Sequence, residues 1–148
     1  HNMLIGDRMA EDIKIDWGSA LPSSDERKVV VRGRDLITGL PQTAEIAPSR
    51  FYQALQGPCL KILDTIREIL DKTPPELCSD IFRKGIYLVG GGAQLYGLDR
   101  FLASELGLPV TLARDPMLTA VNGVGTMAER SDLLNKLTRS NFIRDDNA

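Results

Sequence analysis

Residues 86–97 read Ile-Tyr-Leu-Val-Gly-Gly-Gly-Ala-Gln-Leu-Tyr-Gly, an apolar run that meets three consecutive glycines and then passes into a helical pattern. Glycine has no Cβ and accepts either sign of φ, so Gly90, Gly91 and Gly92 allow main chain to approach a large flat ligand closely. The helix behind them opens with N–H groups that its own turns do not use. Two phosphate-binding patterns fail at identifiable positions. A dinucleotide fingerprint starting at Gly90 requires Gly or Ala where Leu95 stands, and a P-loop over 92–97 requires Lys and then Ser or Thr where Leu98 and Asp99 stand. Asp99 near the helix start disfavours a phosphate there by roughly 0.3–1 kcal/mol where exposed. A ligand at this loop would therefore present a neutral part, such as a base or a sugar. The same residues also make a plain glycine-rich strand-to-helix turn, and the loop alone leaves both readings open.

A second pair of polar side chains, Glu11 and Lys14, stands three residues apart in a segment whose apolar residues Ile5, Met9, Ile13 and Trp17 repeat at i, i+4. That spacing predicts a helix over 5–17 with the four apolar residues on one face and Glu11 and Lys14 together on another. Taken alone, the two charges make an exposed ion pair worth ~0.3–0.5 kcal/mol.

Composition narrows the classes. A chain of 148 residues fits one domain and buries ~68–70% of its unfolded surface, enough for a core without staples. Eighteen basic and 20 acidic residues alternate along it for a net charge of −2, which gives no footprint for nucleic acid. The two cysteines, Cys59 and Cys78, match no zinc or C-x-x-C spacing, and the one histidine is His1, so a metal site is not expected. Each cysteine lies among apolar residues at helical spacing and reads as a buried reduced thiol, consistent with a cytoplasmic protein. No apolar window reaches 18 residues and no charged-then-apolar leader opens the sequence, so neither a membrane segment nor a signal peptide is expected.

The elements that must position these groups follow from periodicity and punctuation. Residues 18–25 read as a connection. Residues 27–32 and 43–47 read as the strands of a hairpin with a longish loop containing Gly33-Arg34-Asp35 and Gly39-Leu40-Pro41, whose Arg34 and Asp35 are turn residues before they are a recognition motif. Ser49 is the expected N-cap of a helix that breaks at Gly57-Pro58 and restarts as a longer one through Leu70. Thr73-Pro74-Pro75-Glu76 has the pattern of a capping box for the next helix, which Gly85 closes. A strand at 86–89, a helix at Leu98–Leu106 and a strand at 108–113 predict a parallel pair that places the glycine loop and Arg114-Asp115-Pro116 on one edge. Residues 117–129 are rich in small residues suited to close helix packing, and 131–148 form a polar tail. Two parallel strands do not make a self-sufficient α/β sheet. The expectation is that this chain is the C-terminal part of a larger protein.

Several ordered strings carry a specific likeness: residues 4–14 (Leu-Ile-Gly-Asp-Arg-Met-Ala-Glu-Asp-Ile-Lys), Val31 to Leu36 with Thr38-Gly39-Leu40-Pro41, Thr73 to Leu77, Gly90 to Ala93 with Gly97 to Arg100, and Asp115-Pro116. Over about residues 2–129 the chain resembles the C-terminal portion of the MreB and Mbl family, the bacterial actin-like proteins that determine rod shape. The resemblance implies an α/β, actin-like ATPase fold of the ribonuclease H type. It is present in part, as a C-terminal half with an outer subdomain built of a β-hairpin plus helices. It implies that 1–21 and 73–130 belong to the inner, adenosine-side subdomain, 22–72 to the outer subdomain, and 131–148 to the tail. It implies nucleotide contacts from Glu11, Asp12, Ile13 and Lys14 on the first helix and from Gly91, Gly92, Ala93 and Gln94 on the turn, with ATP and Mg2+ as ligands of the complete protein. Self-association into filaments, contact with the cell-shape and wall-synthesis machinery, and a cytoplasmic bacterial location follow from the same likeness, with any membrane association carried by other parts. The complete protein is expected to be a weak ATPase. No catalytic residue is assigned in this chain, because the family's phosphate-clamping hairpins lie upstream and no Asp-x-Gly-Thr string occurs here. Departures are Asp7 and Met9 for the more usual Glu and Thr, Trp17 for a smaller residue, and Val121-Asn122 where Val-Ala-Arg is common. Alternatives from the residues are another actin-superfamily ATPase of chaperone or sugar-kinase type, and an interaction module that uses no nucleotide.

Overall fold

The computed structural model describes residues 2–24, 27–130 and 132. The polar tail expected at 131–148 lies almost wholly outside them. Helix α1 (Asp7–Trp17) follows a two-residue strand β1 (Met3–Leu4). The helix expected from residue 5 begins at Asp7; as the i, i+4 spacing requires, Met9, Ile13 and Trp17 are its half-buried positions, in line with half-buried Ile5 just before it, while Glu11 and Lys14 face outward. Strands β2 (Val29–Asp35) and β3 (Pro41–Ile46) pair antiparallel from Val29↔Ile46 to Arg34↔Pro41, and β1 adds to the free edge of β2 through Met3↔Asp35 and Leu4↔Arg34.

The hairpin departs from expectation in an informative way. The loop expected at 33–41 shrinks to a tight turn after Asp35, because Gly33 pairs with Gln42 inside the ladder. Gly33 serves close approach rather than a turn: a Cβ there would strike the Leu4 carbonyl and the Met3 side chain of β1. The turn is held by the Asp35 carboxylate, which accepts hydrogen bonds from Ile37 N–H (2.9 Å), Thr38 N–H (2.6 Å) and the Thr38 hydroxyl (3.0 Å). Those donors hold the Asp35 pKa below its ordinary value, the Thr38 N–H contributing most.

Helix α2 (Pro48–Asp71) runs unbroken through Pro58 instead of stopping and restarting. A proline inside a helix costs ~3 kcal/mol or more. Here the stripe around it buries Cys59 and Leu63, whose side chains join Ala20, Leu98 and Leu102 in the core, and burying one leucine returns roughly 1.5–3 kcal/mol. The cap is also different: Pro48 occupies the first turn after Ala47, with no side-chain cap from Ser49. At the other end, the Thr73 hydroxyl donates to the Ile69 carbonyl of α2 (2.7 Å) rather than capping α3 (Pro75–Lys84). Cys78 of α3 is only half-buried.

Strands β4 (Ile86–Leu88) and β5 (Val110–Leu112) pair parallel, with α4 (Leu98–Leu106) between them in sequence. The crossover was legible because Gly97 and Gly107 bound α4 in left-handed conformations. Leu102 is wholly buried and Leu98 nearly so, and both meet α2 across the core. Helix α5 (Thr119–Glu129) does not use its small residues for packing: no described atom comes within 4 Å of a Cβ built on Gly123 or Gly125.

Candidate functional site

The glycine turn stands at the C-terminal end of β4, where a short 3₁₀ segment (Gly91–Gln94) leads into α4. Gly90 has φ 83° and ψ 173°, a region essentially restricted to glycine. Its N–H donates to the Pro116 carbonyl (2.7 Å), which ties the turn to the loop after β5 and brings Met117 over Gly91. Ala93 points inward and is buried. The turn thus has a fixed inner anchor and an open outer surface.

Helix α1 reaches this turn through the segment that follows it. Ser19 and Tyr96 form a parallel bridge, and Ala20 N–H donates to the Tyr96 carbonyl (2.8 Å). The Ser19 hydroxyl, buried, donates to the Leu21 carbonyl (2.7 Å) and accepts from Leu21 N–H (3.0 Å), holding this segment in shape. The C-terminal half of α1 is thereby laid beside residues 91–95.

Between α1, α2 and the turn opens a cavity of about 450 Å3, within the range of small-molecule sites. Glu11 and Lys14 border it from α1, and Gly91, Gly92 and Gln94 from the turn. Lys14 Nζ donates to Glu11 Oε2 at 2.7 Å, and both side chains are about half exposed. Such a pair contributes ~0–1 kcal/mol to the fold, so its charges stay available to a hydroxyl-bearing ligand. Of the other residues implied by resemblance, Ile13 turns away from the cavity into an apolar hollow with Val31, Ile46 and Phe51, which Lys14 also borders. Asp12 is exposed and Ala93 is in the core, and neither borders the cavity.

Sequence reading missed the back wall. Leu55, Pro58, Cys59 and Ile62 line the cavity from α2, spaced i, i+3, i+4, i+7 as one helical stripe demands. The break expected at Gly57-Pro58 divided that stripe and hid it. Burial pushes the Cys59 thiol pKa up, so this wall is apolar and uncharged. Ile15 of α1, Leu95, Leu98 and Met117 complete the lining.

The arrangement suits a flat, neutral, weakly polar group flanked by hydroxyls. Nothing in the lining gathers positive charge beyond Lys14, which is already paired. Among the described residues no group of three His, Cys, Asp or Glu side chains is placed to hold a metal ion. Among the described residues no helix is long and apolar enough to cross a membrane.

Residues 1–136 match the family model described as MreB/Mbl protein. The cell shape-determining protein Mbl of Bacillus cereus is 41% identical over 136 residues, covering 92% of this chain and 41% of that protein. The cell shape-determining protein MreB of Escherichia coli is 41% identical over 133 residues, covering 90% of this chain and 38% of that protein. The crystal structure of MreB5 of Spiroplasma citri bound to AMPPNP superposes with a TM-score of 0.83 at 33% identity, over 95% of this chain and 41% of that one. Its ADP-bound form gives 0.82 at 35% identity, over 86% and 39%. The chain spans about two fifths of the length of the curated relatives it matches.

Proposed function

This chain belongs to the MreB/Mbl family, and from that premise we propose that it forms the adenosine-side wall of the nucleotide site in an actin-like cytoskeletal protein. The fold is the corresponding part of the actin-like fold of MreB5. The observation that carries the reading is convergence: Glu11 and Lys14, far in sequence from Gly91, Gly92 and Gln94, border the same cavity. Glu11 would accept from ribose hydroxyls, Lys14 would steady Glu11, and the glycine turn would lie along the base without a side chain in the way. Asp12, Ile13 and Ala93 would act by holding these groups in place. The solved relatives hold ADP and AMPPNP, and ATP with Mg2+ is the ligand we propose for the complete site. Bound Mg2+ would neutralise phosphate charge. The residues described here serve the base and sugar.

Within this proposal, residues 1–21 and 73–130 are the inner subdomain and 22–72 the outer one, with α2 reaching from the hairpin into the core beside α4. Filaments of repeated copies, contact with cell-shape and wall-synthesis machinery, and a cytoplasmic location belong to the same reading, supported by the similarity to the cell shape-determining proteins Mbl and MreB. Photolabelling the chain with 8-azido-ATP, followed by peptide mapping, tests it. Label on peptides containing 11–14 and 91–94, displaced by excess ATP, is expected. Label spread over the surface and unmoved by ATP would remove the site.

A further inference from the structure

We propose that the apolar hollow between α1, the hairpin and α2 is a second ligand site, for a small arylalkyl carboxylate whose ring enters the hollow while its carboxylate stays at the mouth on the Lys14 ammonium. Lys14 and Leu55 border both this hollow and the larger cavity, and the two linings otherwise share no residue. The inference therefore stands apart from the adenosine reading. The hollow forms where three periodicities meet. Ala10 and Ile13 are three apart on α1, Phe51 and Ala54 three apart on α2, and each pair shares a helix face. Val31 pairs with Ala44 and Ile46 with Val29, which puts Val31 and Ile46 on one face of the hairpin. Two of the bordering side chains, Ala10 and Ala54, are single methyl groups, and about 210 Å3 is left unfilled. An apolar cavity of roughly 150 Å3 takes up benzene, so one ring on a short chain matches this space. Phe51 offers that ring an aromatic neighbour.

Charge selects the other end of the ligand. Among the residues that line the hollow, Lys14 alone is charged and the rest are apolar. Its side chain is half exposed, and its ammonium has three donors, of which Glu11 accepts one at 2.7 Å. A second carboxylate can share that ammonium without displacing Glu11. A hydroxyl in the same place forgoes the charge, and an amine meets like charge. A mostly apolar lining with one polar group that fixes orientation is the usual make-up of a small-molecule site.

The test titrates the isotope-labelled chain at low salt with 3-phenylpropionate, 3-phenylpropanol and 3-phenylpropylamine, following the amides of Ile13, Val31, Ile46 and Phe51. Phenylpropionate is expected to move them and to bind roughly threefold to fivefold tighter than the alcohol, with the amine weakest, and its advantage should shrink as salt is raised. Ala54→Phe fills the hollow from an exposed helix position that does not border the larger cavity, and it should abolish these shifts. Lys14→Met should erase the preference for the carboxylate. Absence of shifts with phenylpropionate, equal affinities for the three in the parent chain, shifts confined to Gly91, Gly92 and Gln94, or binding that survives Ala54→Phe would overturn the inference. So would shifts at the hollow that follow protein concentration without ligand, since a second copy of the chain would then occupy it. The three-ligand comparison uses the parent chain, so it decides even if a variant misfolds. No nucleoside is present, and a negative result leaves the adenosine reading untouched.

Discussion

Replacing Gly90 and Gly92 separately distinguishes the two things the glycine turn does. Gly90 is held at φ 83°, ψ 173°, where an alanine is strained by ~1–3 kcal/mol. For a chain of this size each kcal/mol moves the melting temperature by roughly 2–4 °C, so Gly90→Ala should melt about 2–12 °C lower. Gly92 has no positive φ, and no atom of the described residues lies within 4 Å of a Cβ added to it. Alanine there restricts the unfolded chain and should leave stability unchanged or raise it by ~0.4–1 kcal/mol. Because Gly92 borders the cavity, Gly92→Leu should keep the fold and occupy the space a nucleoside needs. Circular dichroism melts and adenosine titrations of the three variants read both effects. The reasoning fails if Gly92→Ala is as destabilising as Gly90→Ala, or if Gly92→Leu binds adenosine as the parent does.

Glu11→Ala and Lys14→Ala should each shift stability by no more than ~1 kcal/mol, since the pair is half exposed, yet both should weaken adenosine binding; unchanged binding in calorimetry would count against their role. Leu102→Ala, at a wholly buried position in the core cluster that Leu98 of the same helix shares with Leu63 of α2, should cost ~2–5 kcal/mol in urea unfolding, and a loss below 1 kcal/mol would mean this core does not hold α2 to α4. The Asp35 carboxylate has a depressed folded pKa, so its contribution to the hairpin tip is complete above the unfolded value and is lost as pH falls through the folded one. NMR shifts of the Ile37 and Thr38 amides should therefore change only below about pH 4, and a transition near neutrality would refute the assignment. With a disulfide reagent at pH 8, half-buried Cys78 should react well before Cys59, which is 2% exposed with a raised thiol pKa; equal rates would show that the α2 wall opens freely.

Local punctuation made the glycine turn, α4 and the parallel β4–β5 pair legible, because Gly85, Gly90, Gly97 and Gly107 all adopt the positive φ that such boundaries need. The face of α1 was legible because four i, i+4 apolar residues leave little choice of orientation. What stayed hidden was decided by tertiary contact. Strand β1 is two residues long and exists only because the edge of β2 lies beside it. Pro58 was read as a break because propensity alone makes it one, whereas burial of Cys59 and Leu63 on the same helix keeps α2 whole. Ser49 and Thr73 looked like caps from residue type, and in the fold a proline takes the first turn of each helix. For the cavity, the sequence named the two near walls. The third depended on α2 being continuous.

The central claim is that α1 and the glycine turn recognise the neutral end of a nucleotide. Titrating the isotope-labelled chain with adenosine and, separately, with tripolyphosphate tests this most directly. The account predicts that adenosine moves the amides of Lys14, Gly91, Gly92 and Gln94 and that tripolyphosphate leaves them still. Shifts at the turn with tripolyphosphate alone, or adenosine shifts confined to residues away from the cavity, would contradict it.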